Sequence, residues 1–438
     1  MRVLFVSNYF PPEVNAPATR LYEHAKQWVA DGGEVEVLTS VPNFPEGEVY
    51  AGYENRLTLE EHEGIEALRV PMYVAANEGG FKRIRSYLSF MRSAIQNARR
   101  VRQKPDIVVG TSPQFFCALA GYWIARRFGV PFVLEVRDLW PESVVAVGAM
   151  SRNWIIRFFE KVERYLYRHA DHVVVVTDSF VDHVVRGGAR RECVSVIKNG
   201  ADLDRLREPL DETERAQVRS QHGWNGKFVA AYMGTIGMAH RADVLLKAAQ
   251  RCEDPDIAWV VVGAGAERAA LERRAAELAL PNFYLVDKQP KERIFYYLAE
   301  SDVSVVHLRD LPLFRTVIPS KLFEAMAFGT PIVLGVRGES KNLIDSSGAG
   351  LSVPPEDPEA LVEAVLSLKQ DRERYERAAR DGQRFVAEHF DRRKLARRYW
   401  SLLEKVVDVG LTSREEKSVV VDQSATTPSS YASEPLSV

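Results

Sequence analysis

A chain of 438 residues, 46% hydrophobic and 27% charged with a formal net charge of -2, has an ordinary globular composition and is long enough for two cores rather than one. The near-neutral charge argues against bulk nucleic-acid binding, and the three scattered cysteines, Cys117, Cys193 and Cys252, argue against a disulfide framework or a sulfur-ligated metal. The opening MRVLFVSNYFPPE has too short an apolar run for an export signal, and no stretch approaches about 18 uninterrupted apolar residues, so a cytoplasmic chain without a membrane span is expected.

In chain order, RVLFV (2–6), EVEVLT (34–39), DIVVG (106–110), FVLEV (132–136), HVVVVT (172–177) and VSVI (194–197) are short, β-branched and non-alternating. That is the pattern of strands buried on both faces of a parallel sheet, and the intervening 17–31, 113–128 and 151–169 have helix length. LTLEEHEGIEALRV (57–70) reads instead as a hairpin about Glu63-Gly64. From Lys227 the alternation restarts with FVAAYMG, IAWVVVG (257–263), FYLV (283–286), VSVVHL (303–308), IVLG (332–335) and GLSV (350–353). The predicted fold is α/β, two doubly wound Rossmann-like domains over 1–200 and 201–391 facing a cleft, divided within the turn-rich NGADLDRLREPLDETE (199–214). Helical pattern continues over 357–369, 371–388 and 392–408, and 409–438 lacks periodicity and reads as a disordered tail.

FKRIRSYLSFMRSAIQNARRVRQK (81–104) has eight basic residues and no acidic one. On a helix Ile84, Leu88, Met91, Ile95 and Ala98 share a face flanked by Arg85, Arg92 and Arg99. Such a helix suits either an anionic membrane surface or a domain sheet with a solvated basic rim.

The chemistry concentrates in FRTVIPSKLFEAMAFGTPIVLG (314–335). Ser320 stands at the N-cap, but a capping box would need its acid at Phe323, and Glu324 is one residue late. Lys321 lies at the positive end of a helix dipole, where it is disfavoured by about 0.3–1 kcal/mol. A lysine beside backbone N–H groups describes a phosphate site, and an acid one turn on could hold a ribose hydroxyl. YMGTIGMAHRADVLL (232–246) supplies a second strand-to-helix loop, in which Gly234 and Gly237 admit a diphosphate and His240 or Arg241 can reach it. In VVVGAGAERAAL (260–271) Gly263 and Gly265 resemble a dinucleotide fingerprint, but Arg268 replaces the third glycine, which weakens a nicotinamide oxidoreductase reading. The Asp202/Asp204 triplet sits in the domain connection and reads as a solvated turn, so no metal is expected. In the first half, EVRDLWPES (135–143) puts Arg137 and Asp138 beyond a strand end, as cleft residues or, for Asp138, a helix cap. SNYFPPEVNAPATRL (7–21) offers Asn15, Thr19 and Arg20 as acceptor or phosphate contacts, or forms a plain connection.

Together YFPPE, RDLWPES, IKNGADL and IPSKLFEAMAFGTPIV resemble the retaining glycosyltransferases of family 4, with the GT-B fold, over about 1–408. The likeness is to the bacterial capsule and exopolysaccharide branch that includes fucosyl- and N-acetylfucosaminyl-transferases. It implies a UDP- or GDP-sugar donor bound by the second domain, a lipid-linked or oligosaccharide acceptor bound by the first, and a last helix, 392–408, crossing back to the first domain. It further implies that Glu324 contacts ribose, that Lys321 and Arg241 hold the diphosphate, and that Asp138 lies near the donor sugar or the acceptor. Thr316 departs from it, because the family often carries a donor-sugar glutamate eight residues before the matched one. That departure, with the basic helix, motivates a rival reading as a non-catalytic membrane-associated scaffold.

Overall fold

The computed structural model describes all residues except 45–46, 76–79, 113–114, 147, 149–150, 205–207 and 426–438. The first half runs β1 (Arg2–Val6), α1 (Ala16–Ala30), β2 (Glu34–Ser40), β3 (Thr58–His62), β4 (Ile65–Val70), α2 (Gly80–Asn97), β5 (Ile107–Thr111), α3 (Phe115–Phe128), β6 (Phe132–Val136), α4 (Glu142–Ala146), α5 (Trp154–His169), β7 (His172–Val175), α6 (Ser179–Gly187) and β8 (Val194–Val196). Its sheet has the order β3-β4-β2-β1-β5-β6-β7-β8. Every neighbouring pair is parallel except β3–β4, where Glu63 and Gly64, both at positive φ, make the expected two-residue hairpin turn.

The second half adds α7 (Glu212–His222), β9 (Phe228–Met233), α8 (Asp243–Arg251), β10 (Ile257–Val262), α9 (Arg268–Leu278), β11 (Phe283–Val286), α10 (Lys291–Ala299), β12 (Val303–His307), α11 (Lys321–Phe328), β13 (Ile332–Gly335), α12 (Glu339–Ser347), β14 (Gly350–Ser352), α13 (Pro358–Gln370), α14 (Arg372–His389) and α15 (Arg392–Ala425). This sheet is wholly parallel, in the order β11-β10-β9-β12-β13-β14. The inner strands of both sheets are buried apolar runs, because helices cover both faces, whereas the edge strands β3, β8, β11 and β14 are partly exposed. The order reverses at β1/β5 in one sheet and β9/β12 in the other, so the loops after these strands diverge and leave a crevice. Two Rossmann-like α/β domains thus flank a cleft.

Gly200–Ala201, after the last strand of the first sheet, lies against Phe390–Arg392 at the head of α15. Ala201 N–H donates to Phe390 O and Arg392 N–H to Ala201 O, each at 3.0 Å. A side chain at Gly200 would overlap the Phe390 carbonyl, so only glycine fits. From there α15 packs on α1 of the first domain, with Trp28 Nε1 donating to Ala396 O (2.8 Å) and Arg397 paired with Asp31 (3.0 Å). The helix expected to end at 408 is assigned to Ala425, and so enters the stretch read as an aperiodic tail. Asp204 of the connection pairs with Arg393 on this helix.

One helix face differs from expectation. α2 buries Ser86, Phe90 and Ala94 against the sheet and α3, and the turn after it buries Ala98, while Leu88 is exposed and Ile84, Met91 and Ile95 are only half-buried. Both candidate stripes repeat at helical spacing, and the aromatic Phe90 has more surface to bury than the aliphatics. Arg85, Arg92 and Arg99 are exposed, and Arg85 lies over the Tyr73 ring at 4.3 Å.

Candidate active site

Two neighbouring loops of the second domain follow β9 and β12. Lys321 opens α11 with no side-chain cap from Ser320, whose backbone is helical. The first turn is tight: Leu322 N–H bonds Pro319 O and Phe323 N–H bonds Ser320 O, both at 3.1 Å. Fewer amides are therefore free than an open helix end would offer. The Lys321 side chain folds over the glycine loop instead. Its Nζ lies 4.0 Å from the Tyr232 ring centroid, and a methyl placed on Gly234 would sit 3.1 Å from it. The nitrogen is shielded from solvent and finds no hydrogen-bond partner among the described residues. Burial lowers its pKa to about 7, against the pull of Glu324, which raises it.

His240 faces the same loop. Its Nδ1 is also buried without a partner, and a methyl on Gly237 would lie 3.6 Å from it. Burial, then the neighbouring Lys321 charge, lowers its pKa to about 4, so it is neutral at pH 7. The turn is braced by His307 from the end of β12, whose Nδ1–H donates to His240 O (3.0 Å) while its Nε2 accepts from Glu356 N–H (2.8 Å). Both partners fix one neutral tautomer. Gly335 is required beside it, because a side chain there would run into the imidazole.

Arg241 is occupied differently from expectation. At a φ of 48° it donates to both oxygens of Asp243 (2.8 and 3.1 Å) and lies 3.5 Å from Glu356. Burial would raise the Asp243 pKa, but Arg241 and Lys247 outweigh it and hold it at about 2. The guanidinium is thus committed to bracing the loop.

Gly263 and Gly265 have a packing explanation. Side chains there would overlap the carbonyls of Gly234 and Ile236, because the β10 loop is laced to the β9 loop by Gly234 N–H to Val262 O (2.9 Å) and Ile236 N–H to Ala264 O (2.8 Å). Arg268, in the third-glycine position, donates to the carbonyls of Gly263 (2.6 Å) and Val286 (2.7 Å) and ties the ends of β10 and β11. The glycines serve the shape of the loop that bears Gly234.

On the opposite side, Asp138 Oδ2 accepts from Ser143 Oγ at 2.9 Å, and burial raises its pKa. With Trp140, Glu163 and Tyr167 it lines a cavity of ≈ 20 Å³. Its loop leads into α4, which packs against the turn Pro312–Thr316 of the other domain. The helix that follows Asp138 and the turn that ends at Thr316 therefore meet across the cleft. Thr316 Oγ1 donates to Leu313 O (2.6 Å), closing its own turn.

Arg137 and Arg20 point inward. Arg20 is buried and donates to Glu135 (3.0 Å), Asn199 (2.8 Å) and the carbonyls of Ile197 (2.9 Å) and Lys198 (3.1 Å). Arg137 donates to Ser112 O (2.9 Å) and lies 3.6 Å from Glu135. A carboxylate inside β6, Glu135, gathers both arginines. Asn15 caps α1, accepting from Ala18 N–H at 2.9 Å. Unforeseen from sequence, buried Glu13 joins the β1 and β2 loops by accepting N–H bonds from Asn43 and Phe44, both 3.0 Å. Equally unforeseen, the Glu339 carboxylate of the second domain accepts from Asp178 N–H (3.0 Å) and Ser179 N–H (2.9 Å) at the start of α6, with Lys198 3.3 Å away. Among the described residues no group of three His, Cys, Asp or Glu could hold a metal ion, and no helix is long and apolar enough to cross a membrane.

Two doubly wound domains with a glycine loop and a lysine-headed helix across a cleft define the class: the GT-B fold. Solved structures agree. Anabaena HepE in complex with UDP matches with a TM-score of 0.68 over 92% of this chain and 100% of that one at 16% identity, and Thermosynechococcus elongatus sucrose-phosphate synthase with 0.75 over 93% and 99% at 18%. Residues 15–200 match the glycosyl transferase 4-like domain and 214–385 the glycosyl transferases group 1. The chain belongs to the GT4-like glycosyltransferases of GT-B fold and is an enzyme of that kind. Among curated relatives, Escherichia coli (strain K12) WcaI, named as a glycosyl transferase of colanic acid biosynthesis, is 25% identical over 83% of this chain and 91% of its own. D-inositol 3-phosphate glycosyltransferase of Corynebacterium jeikeium (strain K411) is 28% identical over 57% and 63%.

Proposed function

We infer that this enzyme transfers a hexose, 6-deoxyhexose or N-acetylated sugar from a UDP- or GDP-sugar to a lipid-linked or oligosaccharide acceptor of a bacterial surface polysaccharide, with retention at the anomeric carbon. The observation that carries the donor half is the pair of buried, unpartnered nitrogens, Lys321 Nζ and His240 Nδ1, both against the Gly234–Gly237 loop. Buried polar atoms in proteins are nearly always hydrogen-bonded, so two orphans beside one loop call for a ligand, and one buried cation among them calls for an anion. A nucleoside diphosphate meets that need, with Glu324 toward the ribose.

In this reading Lys321 stabilises the charge on the departing diphosphate and His240 supplies a neutral hydrogen bond. Arg241, tied to Asp243 and Glu356, keeps the loop in its left-handed turn, and its own contact to diphosphate requires release from Asp243. Electrostatic preorganisation of this kind needs no enzymic nucleophile. In the front-face route that the family resemblance implies, the departing phosphate takes the acceptor's proton. Asp138 lies on the acceptor side, and the naming of WcaI for colanic acid biosynthesis supports a polysaccharide acceptor. Such an acceptor, if lipid-borne, places the enzyme peripherally on the inner face of the cell membrane, with the cations of α2 near the lipid.

Calorimetric titration of wild type and Glu324→Ala with UDP, GDP and their sugars tests this. The expected result is one preferred nucleotide, bound at least tenfold more weakly by the variant. Folded wild type that binds none of them would favour the scaffold reading.

A further inference from the structure

α2, α3 and α5 lie side by side on one face of the first sheet, α3 packing against both of the others. The stripe of α5 turned to solvent is Trp154, Arg157, Phe158, Lys161, Tyr165 and Arg168, at helical spacing and without an acid. Trp154 is 77% exposed and Phe158 55%, and on the adjoining α3 Trp123 is 50% exposed. Tyr122 of α3 and Tyr165 of α5 share a hydroxyl hydrogen bond of 2.9 Å, so the two stripes join. An isolated exposed aromatic is ordinary, but three on one face set among cations form a patch. Glu160, next to Lys161 in the chain, is only 21% exposed and is held by Arg152 at 3.0 Å. The sequence drew attention to α2, whose Phe90 and Ala94 instead serve the core.

We propose that this face of α3 and α5 docks on an anionic lipid bilayer, with Trp154 and Phe158 inserted at the interface, Trp123 beside them, and the cations of α2 as flank. Indole and phenyl rings ringed by lysine and arginine match a lipid boundary, where rings sit at headgroup depth and cations meet phosphate. The placement suits a membrane-borne acceptor. Phe159 on the buried side of α5 packs on Trp140 of the loop that holds Asp138, ring centroids 4.8 Å apart, and Glu163 and Tyr167 of the same helix line one cavity with Asp138. Docking here brings the Asp138 side of the cleft to the bilayer. The inference deepens the reading of a lipid-linked acceptor, but its physical basis is the surface alone.

The test is co-sedimentation of the full chain with vesicles of phosphatidylethanolamine and phosphatidylglycerol, against pure phosphatidylcholine, with tryptophan quenching by brominated lipid as a second readout. Wild type should prefer the anionic vesicles and lose much of that binding at high salt. Trp154→Ala with Phe158→Ala should lower partition at least tenfold and reduce quenching, and Arg157→Glu with Lys161→Glu should lower it roughly fivefold per cation. All these side chains are exposed, so calorimetric nucleotide binding should be unchanged in each variant. Equal binding to both vesicle types, or undiminished partition of the aromatic variant, overturns the proposal. So does a dimer seen by sedimentation that the aromatic variant dissolves, because the patch would then serve a second copy. Vesicle binding without nucleotide binding would leave docking standing and remove the donor site.

Discussion

The ammonium nitrogen of Lys321 sits 4.0 Å from the centre of the Tyr232 ring. The ring face is a partial substitute for a counter-ion, worth on the order of 1–2 kcal/mol when desolvated. It does not repay burial, which is why the lysine pKa falls to about 7. Binding an anion should restore it. Affinity for a UDP- or GDP-sugar is expected to be level below about pH 7 and to fall above it by up to tenfold per unit, because binding must then take up a proton. Calorimetry across that range checks this, using sugar nucleotides because they carry no titrating terminal phosphate. A Lys321→Met variant should bind weakly with no such slope, and a slope that survives the substitution would assign the titration elsewhere.

The same residue should lower stability. Its folded pKa lies below the unfolded value of about 10.4, so between about 7 and 10 the unfolded chain binds the extra proton and stability rises with pH. Below about 7 the full cost is present. Lys321→Met removes a buried charge and keeps the aliphatic bulk, so at neutral pH it should raise the Tm of the nucleotide-free protein by a few degrees while weakening donor binding. A lower Tm in thermal scans would mean that the Tyr232 contact outweighs desolvation.

Gly263→Ala separates the packing role of the β10 glycines from a dinucleotide role. The new methyl would collide with the Gly234 carbonyl, displacing the loop that faces Lys321. Nucleoside diphosphate affinity should fall at least tenfold, and the second domain should lose about 2 kcal/mol or more, as expected when a special backbone position is violated. Titration with NAD(P)H followed by fluorescence should show no change in wild type or variant. A nicotinamide signal in wild type would reinstate the oxidoreductase reading.

The sheets were legible because parallel strands are buried on both faces and therefore read as unbroken Val/Ile/Leu runs, as in IAWVVV. The Glu63-Gly64 hairpin and the Gly329 stop of α11 were legible because each needs a residue at positive φ. Arg20 was misplaced because its partner, Glu135, lies 115 residues away inside an apolar strand. His307 and Glu339 were invisible for the same reason: their bonds to His240 and Ser179 span 67 and 160 residues. Local pattern reveals elements and caps, whereas a brace between loops appears only once the topology has placed them. The α2 face failed differently. Two apolar stripes a fraction of a turn apart satisfy the same period, and only the neighbouring helix decides between them.

Glu339 joins the domains at the start of α6, with its carboxylate on two backbone N–H groups and Lys198 beside it. Its side chain is 12% exposed, so these charge-assisted bonds together should contribute about 1–2 kcal/mol after allowance for solvent. Glu339→Ala should let the cleft sample wider openings. Single-molecule distance measurements between labels on the two domains should show a broader distribution than wild type, and nucleotide binding to the second domain should change by less than about threefold. An unaltered distribution would mean that the crossing helix α15 alone sets the opening.

Thr316 stands where the resembling family often carries an acid, and its hydroxyl closes the Pro312–Thr316 turn onto Leu313. Removing that hydrogen bond alone, with Thr316→Val, should cost about 1 kcal/mol of local stability and leave donor choice intact. Thr316→Glu loses the same bond but adds an acceptor-only group able to bind sugar hydroxyls. If Thr316 marks a donor with fewer hydroxyls to satisfy, the acidic variant should shift preference among sugar nucleotides by about tenfold or more toward fully hydroxylated sugars, while bare UDP or GDP affinity stays within about threefold. Comparing kcat/KM over a donor panel with bare-nucleotide affinity makes the distinction. Equal losses across the panel would identify Thr316 as a turn residue only, and a loss confined to the bare nucleotide would place it at the diphosphate instead.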